Sequence, residues 1–220
     1  MADIFDEVQE DLRAERAKRL LNRYGGLLAG AALVAVLAVA GVQGWRWWQE
    51  RAAMAAAQGY LSAARVASEP GMDPGAAAGR FAAVAKEAPA GYRVLARLRA
   101  AALRAEAGDR DAALAEWDAV SRDGSVDAPF RDLAAVLWGT HALEKDDAAG
   151  AAAVEARMAP LAEGNGPFRA SAAEVRALAA LKRGETDAAR RGLQTLANDG
   201  AAPQGVRDRA GRLLSGIGGG

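Results

Sequence analysis

The sequence contains no cysteine and a single histidine, His141. The first absence removes disulfides, thiolate metal sites and thiol chemistry, and the second leaves no Ser-His catalytic pair and no multi-histidine metal centre. Charge of one sign is also missing, since 28 basic residues balance 28 acidic ones and no basic block stands out away from one apolar stretch. Nucleic-acid binding therefore lacks its electrostatic footprint. Aromatic residues make up only 5% of the chain, and much of its apolar share is alanine, which favours closely packed helices over a sheet. No G-x-x-x-x-G-K-[ST] and no strand-preceded G-x-G-x-x-G occurs, so neither a nucleotide nor another cofactor is expected, and no small-molecule substrate. With no nucleophile, base or metal assembled, the chain does not read as an enzyme.

What is present begins with the uncharged stretch Tyr24–Trp45. As a helix it would be about 33 Å long, enough to cross the roughly 30 Å hydrocarbon layer of a bilayer. Arg23 and Tyr24 at one end, and Trp45, Arg46, Trp47 and Trp48 at the other, suit the headgroup level. Gly26 and Gly30 form a GxxxG of weak specificity inside it. Before the stretch, Ile4, Phe5, Val8 and Leu12 fall at helical spacings, followed by Leu20 and Leu21, and read as a short amphipathic helix with acids early and bases late. Arg13, Arg16, Lys18, Arg19 and Arg23 precede the stretch, against Arg46, Arg51 and Arg65 in the twenty residues after it, so the positive-inside rule puts the N-terminus in the cytoplasm. The rival reading is a secretory leader cleaved after Ala38-Val39-Ala40, leaving Gly41 first; six acidic residues in the leader and the length of the apolar run argue against it.

From Trp45 to about Ser68 the helical pattern continues as a stalk, until Glu69–Gly75 interrupts it with two prolines and two glycines. Beyond it the chain repeats with a period of 38 residues. Tyr92-Arg93, Phe130-Arg131, Phe168-Arg169 and Val206-Arg207 share that spacing, and each arginine is followed three residues later by alanine: Ala96, Ala134, Ala172 and Ala210. A second element, Asp-Ala-Ala, begins at 111, 147 and 187. One repeat reads as helix A, a tight turn, helix B and a longer loop. Gly108 and Gly184 suit the left-handed position ending helix A, the following Asp caps helix B, and Trp117, Val120, Leu193 and Leu196 fill the space beyond small alanines at 112, 113, 188 and 189. Such a hairpin leaves an apolar face that only the next hairpin covers, so the fold class is all-α: a transmembrane helix followed by an α-solenoid of stacked hairpins whose A helices line a groove.

The pattern Gly-x-x-x-x-Ala with a large residue eight or nine positions after the Gly resembles the second half of a tetratricopeptide repeat. The period here is 38 where that repeat has 34, and its first-helix Trp-Leu-Gly-Tyr signature is missing. The charged tail, the span near residue 24, the segment FAAVAKEAPAGYR over 81–93, Pro129–Ala134 and Arg207–Ala210 together resemble the tetratricopeptide-like ancillary subunits of the bacterial Sec translocon. That resemblance implies an inner-membrane protein working beside the Sec translocon, with a periplasmic folding factor, on emerging proteins. The expected organisation is a cytoplasmic tail at 1–23, a membrane helix at 24–45 in contact with lipid, a stalk and linker at 46–75, and a repeat domain at 76–220 in the periplasm. Two other classes fit the same layout: an envelope-stress signalling adapter whose tail holds a cytoplasmic regulator, and a released periplasmic repeat scaffold.

Arg93, Arg131, Arg169 and Arg207 form a ladder in sequence. It reads either as a row of guanidiniums for partner carboxylates or, as helix-end physics favours, as cations satisfying the terminal carbonyls of each preceding B helix. His141 reads as a packed or surface residue, Trp117 and Trp138 as core anchors, and Trp45, Trp47 and Trp48 as interfacial anchors.

Overall fold

The computed structural model describes residues 3–144 and 148–218, with side chains for Lys18, 22–144 and 148–217. Ile4, Phe5, Val8, Leu12, Leu20 and Leu21, the tail's arginines 13, 16 and 19, and Asp147 lie outside the residues whose side chains are described. The described residues form nine helices and no strand: α1 Asp3–Ala67, α2 Pro74–Glu87, α3 Ala90–Glu106, α4 Arg110–Arg122, α5 Ala128–Ala142, α6 Ala148–Glu163, α7 Arg169–Lys182, α8 Thr186–Ala197 and α9 Gln204–Gly218. They divide into two compact units, one up to Ala52 and one from Ala53.

In the first unit α1 is long and apolar enough to cross a membrane, a description that a signal sequence also meets. Its leucines and valines from Leu27 to Val42 are between 53% and 72% exposed on every side of the helix. Trp45 and Trp48 lie with ring centroids 5.5 Å apart, and the guanidinium of Arg51 sits 4.1 Å from the ring centre of Trp47. Gly26 and Gly30 have open space where a Cβ would be.

The second unit starts earlier than residue 76, where the sequence sets the repeats' first residue, because the end of α1 takes part in its packing. Ala63 is buried with Ala77, Ala78, Phe81, Ala96, Ala100 and Leu103, and Tyr60 meets Phe81 edge-on at 5.1 Å. Residues 53–67 thus serve as the A helix of a first hairpin, closed through Gly71 (φ 81°) onto α2. Then α3/α4, α5/α6 and α7/α8 follow as hairpins, and α9 covers the last.

Three further cores continue the series. Trp117 and Val120 of α4 pack with Val94, Leu98 and Ala134; Val154 and Met158 of α6 with Ala135, Ala172 and Val175; Leu193 and Leu196 of α8 with Ala170, Ala177 and Ala210. Each core joins a hairpin to the next A helix, so stability accrues between neighbours along the chain. The alanines three residues after each ladder arginine, Ala96, Ala134, Ala172 and Ala210, all have 0% exposure. A methyl group at that place lets neighbouring helices approach closely.

Turn chemistry follows the same period. Gly108 (φ 86°) and Gly184 (φ 79°) occupy the left-handed position after α3 and α7. The Gly108 N–H donates to Ala105 O and that of Asp109 to Arg104 O, and Gly184 and Glu185 repeat the pair on Leu181 O and Ala180 O, as a Schellman ending requires. Helix capping by aspartate holds at two B helices. Asp73 accepts from Ala76 N (2.7 Å) and Asp109 from Ala112 N (3.4 Å), whereas α8 begins at Glu185, whose side chain makes no cap bond, with Asp187 in the first turn.

Structure also corrects the register of one motif. In α4, α6 and α8 the buried alanines are Ala113, Ala151 and Ala189, evenly 38 apart, so the Asp-Ala-Ala at 147 stands two residues before its true register, with Ala148 and Ala149 on exposed helix.

Candidate functional site

The four ladder arginines start α3, α5, α7 and α9 but end on different partners. Arg93 Nε donates to Ala88 O (3.2 Å), the residue that closes α2, and Arg207 Nη1 donates to Ala202 O (2.6 Å) beyond the end of α8. Arg169 reaches forward in the chain and binds the carboxylate of Asp199 at 2.5 Å. The Arg131 side chain has no hydrogen-bond or ion-pair partner among the described residues, and its Nε is buried without one. The first and last therefore satisfy chain carbonyls, the third makes an ion pair, and the second stands open.

Arg131, Asp132 and Arg169 also mark a run of adjoining depressions. A cavity of about 440 Å³ is bounded by Ser121, Arg122, Arg131 and Arg157; it shares Asp132, Pro160 and Leu161 with one of about 280 Å³ beside Gly164 and Phe168. That one shares Arg169 with a groove of about 330 Å³ across α7, between α6 and α8. Its floor is made of small residues, Ala173, Ala177, Ala180, Ala188 and Gly192, and its charged rim of Glu155, Arg169, Arg176 and Asp199.

The groove has a local cause in the repeat. Phe81, Trp117 and Leu193 stand four residues after the buried B-helix alanine and are fully buried, but α6 carries Glu155 there. The carboxylate turns outward to an ion pair with Arg183 and lies 3.8 Å from Arg176, which also binds Glu163 at 2.9 Å. Sequence reasoning missed this position because the Asp-Ala-Ala match shifted α6 out of register.

A charged network runs over the same helices. Arg97 bridges Glu116 (2.6 Å) and Asp123 (3.4 Å); Asp118 accepts from Arg157 (2.5 Å) and Arg122 (3.0 Å). Arg157 in turn lies 4.2 Å from the ring centre of Trp138 and donates to Ser121 Oγ. Ser125 donates its hydroxyl to Asp123 and holds that carboxyl below the usual carboxylate range, with Arg97 adding to the effect; Arg169 does the same for Asp199. Glu174, only 8% exposed, accepts both Nε (2.7 Å) and Nη2 (2.6 Å) of Arg209, whose own pKa the pairing raises. Among the described residues, no three histidine, aspartate or glutamate side chains gather as a metal site. His141 stacks on Trp117 at 4.7 Å and donates through Nδ1–H to a carboxylate oxygen of Glu144 at 2.8 Å.

A family model of the tetratricopeptide repeat-like domain matches residues 18–208. The chain belongs to that family. Tetratricopeptide repeat-like domains are protein-interaction folds and typically carry no enzymatic activity, which agrees with a surface of grooves and ion pairs. The match begins before the apolar stretch and so takes in both that stretch and the repeats. Comparison with curated proteins and with solved structures returns no match.

Proposed function

We propose that the protein is a single-span inner-membrane protein with a cytoplasmic N-terminus, which presents its tetratricopeptide repeat-like domain in the periplasm to protein partners. The observation carrying this reading is the exposure of the α1 leucines and valines around the whole helix. Each such side chain is worth about 1.5–3 kcal/mol when removed from water, and none of the described residues of the first unit buries them. Lipid is the solvent that does. The Trp45, Trp47 and Trp48 cluster with Arg51 then fits the aromatic and cationic belt at one headgroup layer.

The partner assignment rests on the layout of tail, span and repeats: the protein works beside the Sec translocon, with a periplasmic folding factor, on proteins leaving the channel. Binding uses the run of depressions from Ser121 to Asp199, where fixed ion pairs set orientation and alanine floors admit side chains. No covalent chemistry is involved. Affinity isolation from mildly solubilised membranes recovers translocon subunits on this reading, and repeated failure with the translocon intact overturns it. N-terminal sequencing of the mature protein tests the anchor separately, since a chain beginning at Gly41 has lost it.

A further inference from the structure

Arg131 differs from its three register counterparts, and the difference points outward. Arg93 and Arg207 are occupied by carbonyls and Arg169 by Asp199, while Arg131 carries its charge to the wall of a cavity of about 440 Å³ with no internal acceptor. The buried Nε–H finds no acceptor among the described residues, which disfavours the fold at this position unless something else compensates.

The neighbouring charges do not balance it. Arg122 and Arg157 share one carboxylate, Asp118, which does not itself line the cavity, and the acid that does line it is Asp132. Three guanidiniums on the wall are thus set against Asp132 and the shared Asp118, a local excess of one positive charge. Arg157 is held by Asp118, Ser121 and the Trp138 ring and cannot swing to relieve it without giving those up. Ala135, Pro160 and Leu161 supply an apolar wall beside the charge.

We infer that this cavity receives an acidic side chain flanked by an apolar one, on an extended segment of a protein partner, with the carboxylate docked on Arg131. A planar fork of donors matches a carboxylate better than a point charge does, and the apolar wall takes the adjacent residue. The assignment rests on the protein-interaction reading above and names the chemistry of its partner.

The test uses the full chain in detergent micelles and two end-blocked peptides, acetyl-GALELAG-amide and the same peptide with Gln for Glu, followed by fluorescence anisotropy. The acidic peptide binds about tenfold more tightly than its neutral twin, the difference of one charge-assisted contact. Arg131→Met removes the preference, Arg207→Met keeps it, and Arg131→Lys retains part of it. Equal binding of the two peptides, or a preference that survives Arg131→Met, overturns the assignment. Should Arg131→Met fail to fold, full retention of the preference in Arg131→Lys overturns the fork contact in its place. Equal binding of both peptides leaves the interaction reading standing, whereas failure to recover translocon subunits strikes that reading and not Arg131.

Discussion

Ala172 is the position where one methyl group decides how closely α7 approaches its neighbours, since it is fully enclosed among α5 and α6. Ala172→Leu forces extra carbon into a filled space and costs about 1–3 kcal/mol, read as a lowered urea midpoint with unchanged slope. Asp199 gives a pH signature. Arg169 depresses its folded-state pKa, so the unfolded chain binds the proton more readily. The stabilisation is complete at neutral pH and fades as pH falls through the ordinary carboxylate range toward the depressed value. Asp199→Asn is expected to lower stability at pH 7 and to flatten its decline between pH 5 and pH 3, as measured by denaturation at each pH. Glu174 is a case that sequence inspection had no means to find. Its partner Arg209 is 35 residues away, at a place where the other repeats carry Leu95, Leu133 and Ser171, and only the packing of α9 on α7 brings them together. Arg209→Met, which strands that carboxylate, is expected to cost about 1–3 kcal/mol.

At the scale of the element, the hairpins obey local rules that the chain states openly. Gly108 and Gly184 were legible because a left-handed residue ending one helix and a new helix two residues later leave a glycine where other residues are strained. Gly184→Ala keeps the volume small but strains φ, and is expected to lower the thermal midpoint by the equivalent of about 1–2 kcal/mol. The alanines at 96, 134, 172 and 210 were legible for a similar reason: a rigid period exposes the positions where size is fixed. What failed was the phase of α6. Its Asp-Ala-Ala copies the letters of the motif two residues early, and packing selects Ala151, Val154 and Met158 instead. Composition cannot settle phase in an alanine-rich helix, because several faces look equally small. The contribution of residues 53–67 to the first core was likewise only partly legible, since Tyr60 and Ala63 continue an apolar pattern that begins in α1 with no break.

For the whole molecule, the sequence stated the class and the repeat, and left the binding surface unspoken. The depressions arise where elements distant in sequence end side by side: the close of α4, the start of α5 and the close of α6 around Arg131, then α6, α7 and α8 around Glu155. A ladder read along the chain treats its four arginines as equals. Packing makes them unequal by giving three of them partners.

The serial cores have one more consequence, for how such a chain can change length. Because every core closes between one hairpin and the next A helix, a cut at the same phase in two repeats rejoins equivalent residues. Removing residues 131–168 would bring Arg169 next to Phe130, which the intact chain already follows with an arginine and, three positions on, a buried alanine. A 38-residue module is thus the natural unit by which such a chain could be shortened or lengthened without a new fold having to be found.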